Sequence, residues 1–495
     1  MRNEPQLITY VDRLGGDLAG LRRVLDGPLA DAFGGVHLLP FFHRIDGADA
    51  GFDPIDHTMI DERLGTWNEL ATTIGGDFDL MADLIVNHVS DRSPPYLDWA
   101  ATGADSSYDG MFLTFDSVFP DGATEADLQA IYRPRPGLCF TVKGVAGGQR
   151  LVWTTFTANQ VDIDVDHPAS LSYLDTILDR FEAAGVNLVR LDAVGYAIKR
   201  PGTSCFMLPE TFDFIARLGD ACRHRGMTML VEIHSYYRTQ IEIAERVDLV
   251  YDFAMPPLVL DAIFTGDGTV LTEWLAIRPT NAVTVLDTHD GIGVIDVGRD
   301  QTDPSRPGLL APERLDALVE EIHRRSDGAS RKATGAAANN LDLYQVNCTF
   351  ADAIADDDRY LLARLIQVLV PGVPQVYYVG ALAGGNDLEL LERTGVGRDI
   401  NRHHYTPAEV AADVERPVVR RLLALLRWRR TAATLFDGDF SFGGSGAELL
   451  LTWRRGDDTV EARIDLAAGA FELELTDASG TRVVRDLLEL EPARS

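Results

Sequence analysis

V-N-L-V-R-L-D-A-V-G-Y, residues 186–196, decides the fold. Val186, Leu188, Val189 and Leu191 make a short apolar, partly β-branched run of the kind a buried parallel strand requires, which leaves Asp192 at its carboxyl end. Arg190, two positions earlier, falls on the same side of the strand as Asp192. Taken alone, such an aspartate could equally cap the next turn. In a barrel of parallel strands, however, the strand carboxyl ends carry the chemistry.

Working outward, strand-like and helical patterns alternate. Upstream are Leu7–Tyr10, Gly35–Leu39 and Leu80–Asn87, with helical residues Glu69–Ile74 stopped by Gly75-Gly76. Pro168 opens a helix with Leu171, Leu174, Ile177, Leu178 and Phe181 on one face, and Gly185 closes it before the Asp192 strand. Downstream come a helix over Phe212–Arg225 and T-M-L-V-E-I-H at 228–234, ending in Glu232 and His234. L-V-Y-D-F-A at 249–254 and N-A-V-T-V-L-D-T-H-D at 281–290 follow, the latter ending in His289 and Asp290. A helix over Arg359–Val370, a last strand over Gln375–Val379 and a helix over Val418–Arg430 complete the alternation.

Three regions break the rhythm. Ser90–Asp166, rich in Pro, Gly and aromatic residues with Y-R-P-R-P-G at 132–137, is too long for a simple connection. Gly291–Asn347 reads as irregular, with G-A-A-A-N-N-L-D-L-Y-Q at 335–345 as a mobile loop. Beyond Phe436 the pattern becomes strand-like alternation with Gly-rich turns. The prediction is an α/β chain: a (β/α)8 TIM barrel from 1–85, 167–291 and 355–435, irregular insertions at 86–166 and 292–354, and a small C-terminal antiparallel β module at 436–495.

The 495 residues carry 46% hydrophobic and 24% charged side chains, ordinary for a globular protein, but a net charge of −31. That charge argues against nucleic acid or an anionic membrane as partner. Lys143, Lys199 and Lys332 are the only lysines among 45 basic residues, which fits a salt-adapted surface or, more simply, arginine-biased coding. No apolar signal core opens the chain, and Leu361–Gly384 is broken by Arg364, Gln367, Pro371 and Pro374, so neither export nor a membrane span is expected. Cys139, Cys205, Cys222 and Cys348 lie far apart without a C-x-x-C pair, as expected of reduced thiols in a cytoplasm.

Asp192, Glu232 and Asp290 thus stand at the ends of three strands of one parallel barrel, where carboxylates can divide nucleophile and acid roles. With D-L-I-V-N-H at 83–88, V-R-L-D-A-V at 189–194, V-E-I-H at 231–234 and V-L-D-T-H-D at 285–290, the chain resembles the α-amylase superfamily. More narrowly it is similar to the sucrose phosphorylase family, through L-I-T-Y-V-D-R-L-G, G-A-D-A-G-F-D-P-I-D-H, I-Y-R-P-R-P-G, G-T-S-C-F-M, E-I-H-S-Y-Y, N-L-D-L-Y-Q-V-N, Y-Y-V-G-A-L-A-G and G-R-D-I-N-R-H. The likeness covers nearly the whole chain and is weakest in the C-terminal module.

The resemblance implies reversible phosphorolysis of sucrose to α-glucose 1-phosphate and fructose through a covalent β-glucosyl enzyme. It makes Asp192 the nucleophile, Glu232 the acid/base and Asp290 the transition-state stabiliser. Asp49, Phe52, His88, Gln160, Arg190, His289 and Arg398 match glucose-binding positions. Tyr132, Pro134, Arg135, Tyr196, His234, Leu341, Asp342, Tyr344 and Gln345 match the acceptor side, where Arg135 and His234 are candidates to meet phosphate. The implied partners are sucrose, phosphate, glucose 1-phosphate and fructose, with a homodimer as candidate assembly and no cofactor.

D-I-D-V-D at 162–166 has the spacing of a calcium loop, but His167 replaces the glycine of its turn and no glutamate closes it, so no metal is expected. The remaining alternatives are a phosphorylase for sucrose 6′-phosphate, glucosylglycerol or glucosylglycerate, and a non-catalytic barrel used for binding. Ala336–Asn347 contains no basic residue to favour an anionic acceptor, and the presence of all three acids disfavours a non-catalytic role.

Overall fold

The computed structural model describes residues 2–46, 49–133, 137–301, 303–334 and 345–491. Eight parallel strands form a closed barrel: β1 (Gln6–Thr9), β2 (Gly35–Leu38), β3 (Asp79–Ile85), β4 (Leu188–Asp192), β5 (Thr228–Val231), β6 (Leu249–Asp252), β7 (Ala282–Thr284) and β8 (Val373–Tyr377). Each strand pairs with its neighbours in chain order, and β8 returns to β1. Between them run helices α1 (Leu18–Asp26), α2 (Trp67–Thr73), α3 (Pro168–Ala183), α4 (Pro209–His224), α5 (Tyr237–Ala244), α6 (Met255–Thr265) and α7 (Asp357–Leu369), and α8 (Pro417–Thr431) follows β8.

The chain divides into two compact units, one of residues 38–233 with 246–248, the other of 1–37, 234–245 and 249–495. In the first, β4 sets Leu188–Leu191 against Met81–Leu84 of β3 and Thr228–Val231 of β5. All of β3 is buried, as are Leu188 to Leu191, so the run has no polar alternation. In the second, Gln375 on β8 donates to Gln6 at 2.7 Å and accepts from the Tyr251 hydroxyl at 3.2 Å, a buried polar link between strands.

Strand ends depart from the sequence expectation. The ladder of β5 stops at Val231, where Glu232 N–H reaches the Leu191 carbonyl at a stretched 3.4 Å. β7 stops at Thr284, which lies opposite Pro374 of β8 and whose carbonyl accepts from Gln367 Nε2 at 2.9 Å. Asp290 therefore lies in the connection after β7 and not at a strand terminus.

The insertions carry more regular structure than expected. Residues 86–166 hold helices Pro94–Thr102, Phe115–Val118 and Glu125–Ala130 and a hairpin of Phe140–Val145 with Gly148–Trp153, around a core of Val118, Phe119, Ile131, Cys139 and Trp153. Gly291–Asn347 is not irregular throughout: Pro312–Arg325 is a helix opened by proline and burying Leu318 and Ile322, and Ala329–Thr334 is a second. The C-terminal module is a five-stranded antiparallel sheet, β9 (Asp439–Gly443), β10 (Glu448–Arg455), β11 (Asp458–Asp465), β12 (Ala470–Asp477) and β13 (Gly480–Val484). Trp453 anchors it by donating to the Leu369 carbonyl at 2.6 Å.

Candidate active site

In the unit of residues 38–233, Asp192 is the last residue of β4 and Glu232 follows β5 directly. Arg190 serves both: Nη1 lies 3.3 Å from Asp192 Oδ1 and Nη2 lies 2.7 Å from Glu232 Oε1, while Nη1 also pairs with the buried Asp83 of β3. The guanidinium carries its donors on separate nitrogens in one plane, so Nη2 faces Glu232 while Nη1 faces Asp192 and Asp83. Behind Asp192 the chain turns at Ala193, whose left-handed φ of 55° is unusual for a residue with a Cβ and aims the following single-turn helix, Val194–Tyr196.

Burial and the charge of Glu232 push the Asp192 carboxyl well above its usual range, and Arg190 opposes them. A retaining displacement needs two carboxyl groups in different roles, one carboxylate to attack and one carboxylic acid to donate.

The residues of this unit expected on the glucose side converge. His88 begins a short strand, His88–Ser90, paired antiparallel with Gln160–Asp162. His88 Nε2–H donates to the Phe52 carbonyl at 2.8 Å, and Gln160 donates to Asp49 Oδ2 at 3.2 Å. Burial lowers the His88 pKa, keeping the ring neutral. Phe52 is buried in a turn and stands 5.5 Å from the Arg190 guanidinium. Gly51, at φ 92°, lets that turn pass the Pro40 carbonyl.

Of the residues expected on the acceptor side, Tyr132 and Tyr196 stack at 6.2 Å and share Phe206, at 4.6 and 4.8 Å. Phe206 and Phe156, which meets Tyr196 edge-on at 5.1 Å, were not singled out from the sequence, although Phe206 lies within the quoted G-T-S-C-F-M. The first carboxylate of the calcium-like run is used differently: Asp162 pairs with Lys199 Nζ at 2.6 Å, and the same ammonium donates to Asn87 Oδ1 at 2.8 Å and to the Tyr196 carbonyl.

The other unit assembles a second set. Arg398 Nη1 lies 2.7 Å from Asp290 Oδ1, with Arg402 Nη2 at 3.8 Å and His289 Nε2 at 3.6 Å. Burial raises the Asp290 carboxyl, but Arg398, His289 and Arg402 outweigh it and hold the group well below the usual carboxylate range. Gln345 Oε1 accepts from Arg398 at 3.3 Å and from the Gly291 N–H at 3.2 Å, and Gln345 Nε2 lies 3.5 Å from His234 Nε2. Arg402 and Asn401, which bond the His289, Thr288 and Asp290 carbonyls, were missed as individuals despite standing in G-R-D-I-N-R-H. Pro134, Arg135, Leu341, Asp342 and Tyr344 lie outside the described residues.

The chain is 57% identical over 473 residues to the sucrose phosphorylase of Agrobacterium vitis, covering 95% of this chain and 96% of that one. It is 51% identical to the sucrose phosphorylase of Bifidobacterium adolescentis over 99% of each. The chain belongs to the sucrose phosphorylase family. A solved sucrose phosphorylase relative, the sucrose 6F-phosphate phosphorylase from Thermoanaerobacter thermosaccharolyticum, superposes with a TM-score of 0.89 at 36% identity over 98% of each chain. No family model matches the chain. Among the described residues no helix is long and apolar enough to cross a membrane.

Proposed function

We propose that this protein catalyses the reversible phosphorolysis of sucrose, and that Asp192, Glu232 and Asp290 carry it. What supports the reading is membership of the family together with the Arg190 guanidinium shared between Asp192 and Glu232. Asp192, ionised, attacks the anomeric carbon of the glucosyl unit while Glu232 gives its proton to the departing fructose oxygen. The product of this half is a β-glucosyl ester on Asp192 and free fructose. A phosphate oxygen then attacks the same carbon from the face fructose left while Glu232, now a carboxylate, takes back a proton from the phosphate; Asp192 departs as carboxylate, and α-glucose 1-phosphate forms with net retention.

Asp290, kept ionised by Arg398, is proposed to bind sugar hydroxyls more strongly as oxocarbenium character develops. His234 and Arg135 are proposed to meet the phosphate, and Tyr132, Tyr196 and Gln345 to shape the acceptor side. Asp342 and Tyr344 belong to the same proposal. The four cysteines are free and buried, in keeping with a proposed cytoplasmic setting. A homodimer is the proposed assembly, to be read by sedimentation velocity.

Incubating the protein with sucrose, with and without phosphate, tests the activity. Glucose 1-phosphate should dominate when phosphate is present, and free glucose should form slowly without it. Free glucose at the same rate under both conditions would instead mark a hydrolase.

A further inference from the structure

His234 is held from three sides. Its ring lies face to face with Phe253, centroids 3.8 Å apart and planes 17° apart. Its Nδ1 is 2.9 Å from Oδ2 of Asp296, in the single-turn helix Ile295–Val297, and its Nε2 edge faces Gln345. The imidazole is 23% exposed, whereas the Asp296 side chain is wholly buried. Asp296 Oδ1 accepts from the Ser235 N–H at 3.1 Å and from Gln240 Nε2 at 2.5 Å.

A buried carboxylate is costly unless every oxygen finds a donor, so Oδ2 requires Nδ1 of His234 to carry hydrogen. That fixes the tautomer. It also sets a buried negative charge against the ring, which offsets the positive charge gained when Nε2 is protonated as well. Asp290, on which His234 acts electrostatically, is already matched by Arg398. The close approach leaves no slack: a Cβ on Gly293 would stand 2.6 Å from Asp296 Oδ2 and 3.4 Å from the imidazole.

We propose that Asp296 is a positioning residue for the phosphate step: its carboxylate orients His234 and supports the ring as the cation that receives phosphate. This rests on the phosphorylase reading above. Asp296 acts through His234 and does not touch the sugar, so its loss should weaken capture of the anionic acceptor and spare cleavage of a neutral donor.

In Asp296→Asn the new amide donates to Nδ1, which forces the opposite tautomer and removes the charge behind the ring. The apparent KM for phosphate should then rise about tenfold, the size of a lost charge-assisted hydrogen bond. Hydrolysis of α-glucosyl fluoride without phosphate should change less than about threefold, because no anion enters that reaction. Gly293→Ala, which displaces the carboxylate without neutralising it, should give a smaller rise of the same kind and serves if Asp296→Asn folds poorly. In a His234→Gln background, Asp296→Asn should add nothing to the phosphate KM. Equal losses with and without phosphate, an unchanged phosphate KM in a variant with wild-type melting, or additive effects in the double variant would each overturn the proposal. Absence of glucose 1-phosphate formation by the wild type would instead remove the phosphorylase reading itself.

Discussion

Arg190 holds Glu232 more closely than it holds Asp192, with Nη2 2.7 Å from Glu232 Oε1 against 3.3 Å from Nη1 to Asp192 Oδ1. The guanidinium opposes the burial and the Glu232 charge that raise the Asp192 carboxyl, and it also pairs with the buried Asp83. Lysine supplies the charge without the fork. Arg190→Lys should therefore lower kcat with sucrose by about a hundredfold or more, comparable to removing one preorganised donor from a charged transition state. It should also lower the melting temperature through the poorly paired Asp83. A kcat within about threefold of wild type would contradict this role.

Lys199 binds the inserted region to the chain beyond β4 through Asp162, Asn87 and the Tyr196 carbonyl. Lys199→Met leaves the wholly buried Asp162 without its ion-pair partner and should cost about 3–5 kcal/mol in urea unfolding. Adding Asp162→Asn should recover part of that loss, because the uncompensated charge disappears. If the double variant is less stable than Lys199→Met, the ion pair is not what Lys199 contributes.

His57 is buried against Phe42, 4.0 Å between ring centroids, and donates from Nε2 to the Asp83 carbonyl at 3.0 Å. Burial lowers its pKa from 6.5 to about 4. The unfolded chain therefore takes up a proton between those values that the folded chain refuses. The contribution is fully present above pH 6.5 and is lost as pH falls, levelling off near pH 4, with a span of about 3 kcal/mol. Melting curves of His57→Gln should decline less steeply than wild type between pH 6.5 and 4, and parallel curves would contradict the assignment.

The barrel was legible in the sequence because short, mostly apolar runs such as Leu188–Asp192 alternate with helical patterns, and the helix after Pro168 shows its buried face directly. Met255–Thr265 was not read as a helix, since M-P-P-L-V-L-D-A-I-F-T is apolar nearly throughout, with Asp261 the one charge, and shows no clear periodicity. Pro312–Arg325 was lost because only Leu318, Ile322 and His323 of its fourteen residues are buried, a weak stripe among charges. Asp192, Glu232 and Asp290 could be found from motifs. The pairing of His234 with Asp296, 62 residues away, could not, because nothing local marks a carboxylate that becomes buried only through tertiary packing.

The net charge of −31 should repel phosphate on approach and leave neutral sucrose unaffected. Exposed charges are screened once the Debye length falls to about 10 Å near 0.1 M salt. Raising a bulky, weakly binding salt from low to moderate concentration should lower the apparent KM for phosphate with little change in that for sucrose. A phosphate KM that stays flat or rises would place the acidic residues mainly away from the mouth of the site.

The most direct test of the mechanism is to trap the glucosyl enzyme on Glu232→Gln. This variant should lose cleavage of sucrose, whose leaving group needs a proton, yet still react with α-glucosyl fluoride, whose leaving group does not. After a rapid acid quench and digestion, the peptide containing Asp192 should carry the mass of one glucosyl residue, and the label should vanish in Glu232→Gln/Asp192→Asn. A label on another residue, or turnover of the fluoride by the double variant at the same rate, would contradict the central role given to Asp192.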